Sequence, residues 1–273
     1  MAQEISLTSA MRANLLSLQN TVSLLNRTQE RLSSGKKVNS ALDSPTNYFA
    51  AKAHQNRAND IAARKDSMGE AIQAVKGASN GIDSINTLIE SAKGIAQAAL
   101  STSDATQRSQ YVAQYNAVID QIDTLASDSG YRGTNLLIGN TLTVKFNEDG
   151  ASSLDITGFS ATKAGLTINT GAGWTADAAG TASINSAMTE LSNAASTLRV
   201  KASSLSSSLS IVQTRADWAD QMVATLRAGA SALTDADMNE EGANMLMLQT
   251  RQSLGTTALS LSAQNAQSVL RLF

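Results

Sequence analysis

A chain of 273 residues with 21 Lys and Arg against 23 Asp and Glu, no cysteine, one proline and 4% aromatic residues excludes disulfide scaffolds, thiolate metal sites and cysteine nucleophiles. A formal charge of -2 gives no drive toward phosphate backbones or anionic lipid. The apolar 42% is mostly Ala, Leu, Ile and Val, which favours helix-on-helix packing.

The amino-terminal eighteen residues mix Gln3, Glu4, Ser6, Thr8, Arg12 and Asn14 among apolar positions, so no signal peptide is expected there. No segment reaches the roughly 20 apolar residues that span a bilayer, so no membrane insertion is expected. Met11, Leu15, Leu18, Val22, Leu25 and Leu32 follow a four/three spacing, broken only by Gln29, that ends at Gly35, which predicts an amphipathic helix. Ser44-Pro45 then supplies a cap and a first helical position for a long helix. Its heptad positions are Ile61, Met68, Val75, Ile82, Ile89 and Ala96, and it is expected to end near Ser101. A shorter stripe follows at Tyr111, Tyr115, Val118, Ile122 and Leu125, closed by a turn at Asp128-Ser129-Gly130.

Residues 130–180 differ in kind. They are rich in glycine and alternate at Leu142, Val144 and Phe146, turn at Asn147-Glu148-Asp149-Gly150, and resume at Leu154 and Ile156, with Leu166 and Ile168 beyond. A small β element is predicted, and deletion within residues 150–180 is expected to be tolerated much better than a charge on the terminal stripes. Trp174, in a glycine-rich stretch, is a candidate surface tip, with burial against the β element as the equal alternative. From Ile184 to Leu233 every four/three slot is apolar, including Leu191, Leu198, Leu205, Leu209 and Val212, with Ser183 as the expected N-cap. A fifty-residue helix would be roughly 75 Å long, which implies a rod. The last segment carries Leu259, Ala263, Ala266, Leu270 and Phe273 on one stripe and Met247, Leu254, Ala258 and Leu261 on a neighbouring one. Two apolar faces require two partners.

Catalytic and metal constellations are missing. His54 is the only histidine and reads as a polar helix-surface residue; there is no phosphate loop, nucleophile elbow or calcium loop. No enzymatic activity, cofactor or metal is expected, and nucleic acid is excluded as a partner.

Residues 25–43, LNRTQERLSSGKKVNSALD, resemble the amino-terminal signature of bacterial flagellins, a leucine-rich helix ending in RLSSG followed by INSAxDD. Residues 233–237, LTDAD, are similar to the family's IxDAD, residues 262–273 to its closing AxANQxPQxVLxLL, and residues 131–137, YRGTNLL, to its FNGxxLL turn. The resemblance implies a mainly α fold: an elongated antiparallel helical bundle with a small β-hairpin and paired terminal helices. It implies an inner helical domain built from 1–43 and 234–273, and a long-helix bundle at 44–233 that includes the β region at 130–180. It also implies a secreted subunit that self-assembles into the extracellular flagellar filament used for swimming. Partners would be other flagellin subunits, the flagellar type III export apparatus and its chaperone, the filament cap and the hook-junction proteins. The terminal stripes would then be the assembly seams, and the stripes of the two long helices the bundle seam. A hook-filament junction protein and a surface-displayed, flagellin-like glycan-binding adhesin are the alternatives. Ala266 stands where the closing motif has proline. Ala92 and Gly94 depart from a segment that a vertebrate innate immune receptor recognises in many flagellins, which implies weak activation of that receptor.

Overall fold

The computed structural model describes residues 9–270. In chain order the elements are α1 (Ser9–Ser34), α2 (Pro45–Ser101), α3 (Ala105–Asp128), β1 (Thr141–Lys145), β2 (Ser153–Thr157), α4 (Ala178–Thr234) and α5 (Met238–Leu270). The chain is therefore helix-dominated with one small antiparallel hairpin among the described residues, the class expected from its sequence.

The helix starts follow from local chemistry. Pro45 opens α2 at the position where a missing N–H costs nothing. Asp104 caps α3, its carboxylate accepting from the amides of Thr106 and Gln107 at 2.7 and 3.2 Å. Asp177, not Ser183, begins α4: its Oδ1 accepts from the Gly180 amide at 2.8 Å, while the Ser183 hydroxyl lies inside the helix and donates to the Ala179 carbonyl. Asp237 caps α5 through Asn239 and Glu240, and acidic Glu240 and Glu241 sit in the first turn, where the helix dipole favours them. Helix α5 continues through Ala266 to Leu270.

Two compact units result. The first combines the described residues of Met1–Asn56 with those of Thr225–Phe273. Antiparallel bonds tie its loops: the Lys37 amide donates to the Thr234 carbonyl at 2.7 Å and the Ala236 amide to the Gly35 carbonyl at 2.9 Å. Gly35 ends α1 with φ +70°, a conformation that a side chain resists.

The second unit is Arg57–Ala224. Ile61, Met68, Val75, Ile82, Ile85 and Ile89 of α2 are buried with Tyr115, Ile119 and Ile122 of α3 and Leu191, Leu198, Leu205 and Val212 of α4. In the hairpin Leu142 pairs with Ile156 and Val144 with Leu154, so Val144 and Ile156 turn inward. Phe146 beyond β1 is buried under the Arg215 guanidinium of α4, 5.2 Å from the ring centroid. Leu166 and Ile168 are buried too, but in a turn and in the irregular segment after it rather than in a further strand.

Asn135 staples α3 to the loop after it. Its Nδ2 donates to the Ala126 and Ser127 carbonyls at 2.8 and 2.9 Å, and its Oδ1 accepts from the Leu137 amide at 2.8 Å. The side chain satisfies the last carbonyls of a helix while itself buried, so Asn135→Ala strands several backbone groups away from water. A loss of about 3 kcal/mol is expected in chemical denaturation, with Asn135→Asp, which keeps the shape and loses the donors, nearly as costly.

Candidate assembly surfaces

Within the first unit α1 and α5 lie antiparallel. Arg31 Nη1 donates to Glu241 Oε1 at 2.9 Å near one end, and Leu18 sits against Gly255 further along. A Cβ at residue 255 would meet the Leu18 side chain at 2.7 Å, so glycine there lets the helices approach. Met11, Thr21 and Thr28 of α1 and Glu241 and Leu248 of α5 are buried by this pairing. Thr21 returns its hydroxyl to the Ser17 carbonyl at 2.8 Å, so a polar side chain enters the seam without an orphaned group.

The assembly residues expected from the sequence divide into three groups. Met11 is buried; Leu18, Val22, Leu25, Leu32 and Leu259 are half-buried; Leu15, Leu254 and Leu261 are exposed, at 37%, 67% and 56%. Phe273, and the side chain of Leu270, lie outside the described residues. Met247, Leu254 and Leu261 recur every seven residues, so they share one face of α5, and Met247 is also exposed. Buried Leu248 is one residue on, about 100° round the helix, on the side that meets α1. One face of α5 is thus covered and a neighbouring apolar face is bare. Helix α1 adds Leu16 and Leu24, exposed at 62% and 47%. Sequence periodicity missed this pair because both lie off the seam; the doublets Leu15-Leu16 and Leu24-Leu25 were the available signal.

The bundle residues have a different fate. Ile61, Met68, Val75, Ile82, Ile89, Leu191, Leu198, Leu205 and Val212 are buried and Leu209 is half-buried, all against the chain's own helices. Trp174 is no surface tip. It is 5% exposed, its ring 4.7 Å from that of Tyr115, because the loop after Ile168 folds inward over α3. Of the two receptor-segment departures, Ala92 is fully buried on the α2 seam and only Gly94 is exposed. His54 is half-buried on α2, and no group of three His, Asp or Glu among the described residues is placed to hold a metal ion. No described helix is long and apolar enough to cross a membrane.

Comparison with known proteins places two family models on the chain: the bacterial flagellin N-terminal helical region over residues 5–141 and the bacterial flagellin C-terminal helical region over residues 181–273. Flagellin FljO of Caulobacter vibrioides is 33% identical over 265 residues, 95% of each chain. Flagellin FljM of the same organism is 31% identical over 265 residues, again 95% of each chain. A flagellin of Brucella melitensis is 28% identical over 289 residues, covering all of this chain and 99% of its own.

Proposed function

The chain belongs to the bacterial flagellins, a structural subunit of the flagellar filament that polymerises with other flagellin subunits, and we propose that its bare terminal-helix faces are the surfaces by which it does so. The observation that carries this reading is the heptad stripe Met247, Leu254 and Leu261, left in solvent while α1 covers the adjoining face. Burying a leucine of this kind gains about 1.5–3 kcal/mol, so each copy gains by presenting the stripe to another. Because the exposed leucines of α1 and the stripe of α5 are different patches, their meeting is heterologous, and a heterologous contact that does not close on itself extends as an open helix.

In this reading residues 1–43 and 234–273 form the filament's inner layer and residues 44–233 the layer outside it. The terminal helices gain full cover only in the polymer, so ordering and assembly are coupled. The subunit leaves the cell through the flagellar export apparatus with a chaperone, adds beneath a filament cap, and joins the hook through junction proteins. It is a component of an extracellular fibre and carries out no catalysis. Burial of Trp174 removes the residue on which a glycan-binding role rested.

Electron microscopy of the purified chain after seeding with sheared filament fragments tests the reading. Micrometre fibres that lengthen in proportion to added subunit are expected. A chain that stays monomeric at high concentration in the presence of seeds contradicts it.

A further inference from the structure

A cleft of about 390 Å³ opens in the second unit between α2, the turn at 131–134 and β1. Three cations line it, Arg64, Arg132 and Lys145, against one carboxylate, Glu70, with Leu142 and Val144 forming apolar wall. That local excess of positive charge occurs in a chain whose net charge is -2.

Two features set the cleft apart from an ordinary solvated surface. Arg64 is half-buried, and its Nε is shielded from solvent with no hydrogen-bond acceptor among the described residues. A charged donor left without an acceptor is costly, more so than a neutral one. The second feature is backbone strain. Tyr131 and Thr134 exchange amide-to-carbonyl bonds at 2.8 and 3.0 Å across a two-residue turn in which Arg132 and Gly133 have φ +47° and +82°. Consecutive left-handed residues of this kind are ordinarily Asn-Gly, the pair in the flagellin turn motif that residues 131–137 resemble. An arginine there accepts a conformational cost, and what the chain gains is a guanidinium placed 2.9 Å from Glu70, with the Tyr131 hydroxyl donating to the same carboxylate at 3.1 Å. The Arg132 guanidinium and the Tyr131 hydroxyl hold the Glu70 carboxyl below its usual range, so it stays ionised and keeps Arg132 in position at the cleft.

We propose that this cleft receives a carboxylate side chain from a second copy of the chain, Arg64 and Lys145 serving as its charge partners with Arg132 beside them. The proposal rests on the filament reading. A second copy is favoured over a free anion because polymerisation holds neighbouring chains at fixed separation, so a tethered carboxylate acts at a high effective concentration. Half-buried Leu142 can also cover the methylene stem of a glutamate, which inorganic anions lack.

The test uses filaments grown from a mixture of isotopically light and heavy chains and treated with a carbodiimide. That reagent couples the Lys145 amine to a touching carboxylate as an amide and takes up the water released to become a urea. Mass spectrometry is expected to find Lys145 joined to an Asp or Glu in mixed-isotope pairs from filaments and not from monomers. Arg64→Met and Arg132→Asn, the latter relieving the turn, are expected to keep monomer helicity and to raise the critical concentration for growth on the order of tenfold, with weaker salt dependence than the parent. Filaments that grow normally from both variants, with Lys145 linked only within its own chain, overturn the proposal and leave the filament reading intact. Saturable binding of acetate to the monomer, read from the Arg64 Nε–H resonance, without mixed-isotope links assigns the cleft to free carboxylates and overturns it equally. A parent chain that never polymerises removes the filament reading and this proposal together.

Discussion

A chain carrying Leu254→Asp and Leu261→Asp is expected to fold as the parent does and to lose seeded filament growth altogether. Both leucines are more than half exposed, so folding of a single copy neither buries them nor suffers from a charge in their place. On the proposed reading, the same positions meet another subunit in the polymer. Each substitution then forfeits about 1.5–3 kcal/mol of apolar burial and adds several kcal/mol for an unpaired carboxylate moved out of water. Repeated at every subunit, that total exceeds what an assembly contact can lose. Leu18→Asp would be a poorer probe, because Leu18 packs on Gly255 and its loss damages the α1–α5 pair before any neighbour is involved. Circular dichroism fixes the first half of the prediction and electron microscopy with seeds the second; Leu254→Met is the control that should still grow. Normal fibres from the double aspartate variant would move the assembly surface elsewhere on the chain.

The long helices were legible because a period-seven stripe is a direct record of a buried seam: every residue read from α2 between Ile61 and Ile89 is buried where the spacing put it. Helix starts were less so. Ser183 and Asp177 are both competent caps, and the choice falls to Asp177, whose carboxylate also accepts from the Thr175 hydroxyl at 2.6 Å. Leu166 and Ile168 alternate like a strand yet lie in a turn and the irregular segment after it, because alternation records which side chains point inward and irregular backbone buries side chains as well as strands do. The cationic cleft was invisible for a different reason. Arg64, Arg132 and Lys145 are distant in sequence, and only the turn at 131–134 and the hairpin bring them together. The exposed stripe of α5 was readable as a second apolar face; that α1 covers the other face follows from the antiparallel pairing, which places Arg31 beside Glu241.

Trp174→Ala is expected to destabilise the second unit by about 3–5 kcal/mol, the range for emptying a buried aromatic site, and to do so without touching either terminal helix. The ring lies tilted on Tyr115, which is itself fully buried and whose hydroxyl is pushed above its ordinary pKa by that burial. The surrounding loop is bonded in several places: the Gly171 amide donates to Asn116 Oδ1 at 2.7 Å, and Asn169 is gripped by Glu190 through its amide at 3.0 Å and its side chain at 2.8 Å. One residue on, the Thr175 carbonyl accepts from Arg108, a buried cation whose Nε also donates to the Thr102 carbonyl at 2.8 Å. The segment after the hairpin therefore closes the core and supplies an acceptor for a buried charge. Deleting it would uncover Ile168 and leave Arg108 with the Thr102 carbonyl but without the Thr175 one, which argues against the expectation that deletion within residues 150–180 is well tolerated. Trp218 is 40% exposed, so Trp218→Phe leaves Trp174 as the only tryptophan and its fluorescence as the probe of this site. Blue-shifted emission that moves red in a single transition with the helical signal is expected. Emission already red in the native chain, or a Trp174→Ala variant as stable as its parent, would show that the ring is not part of the core.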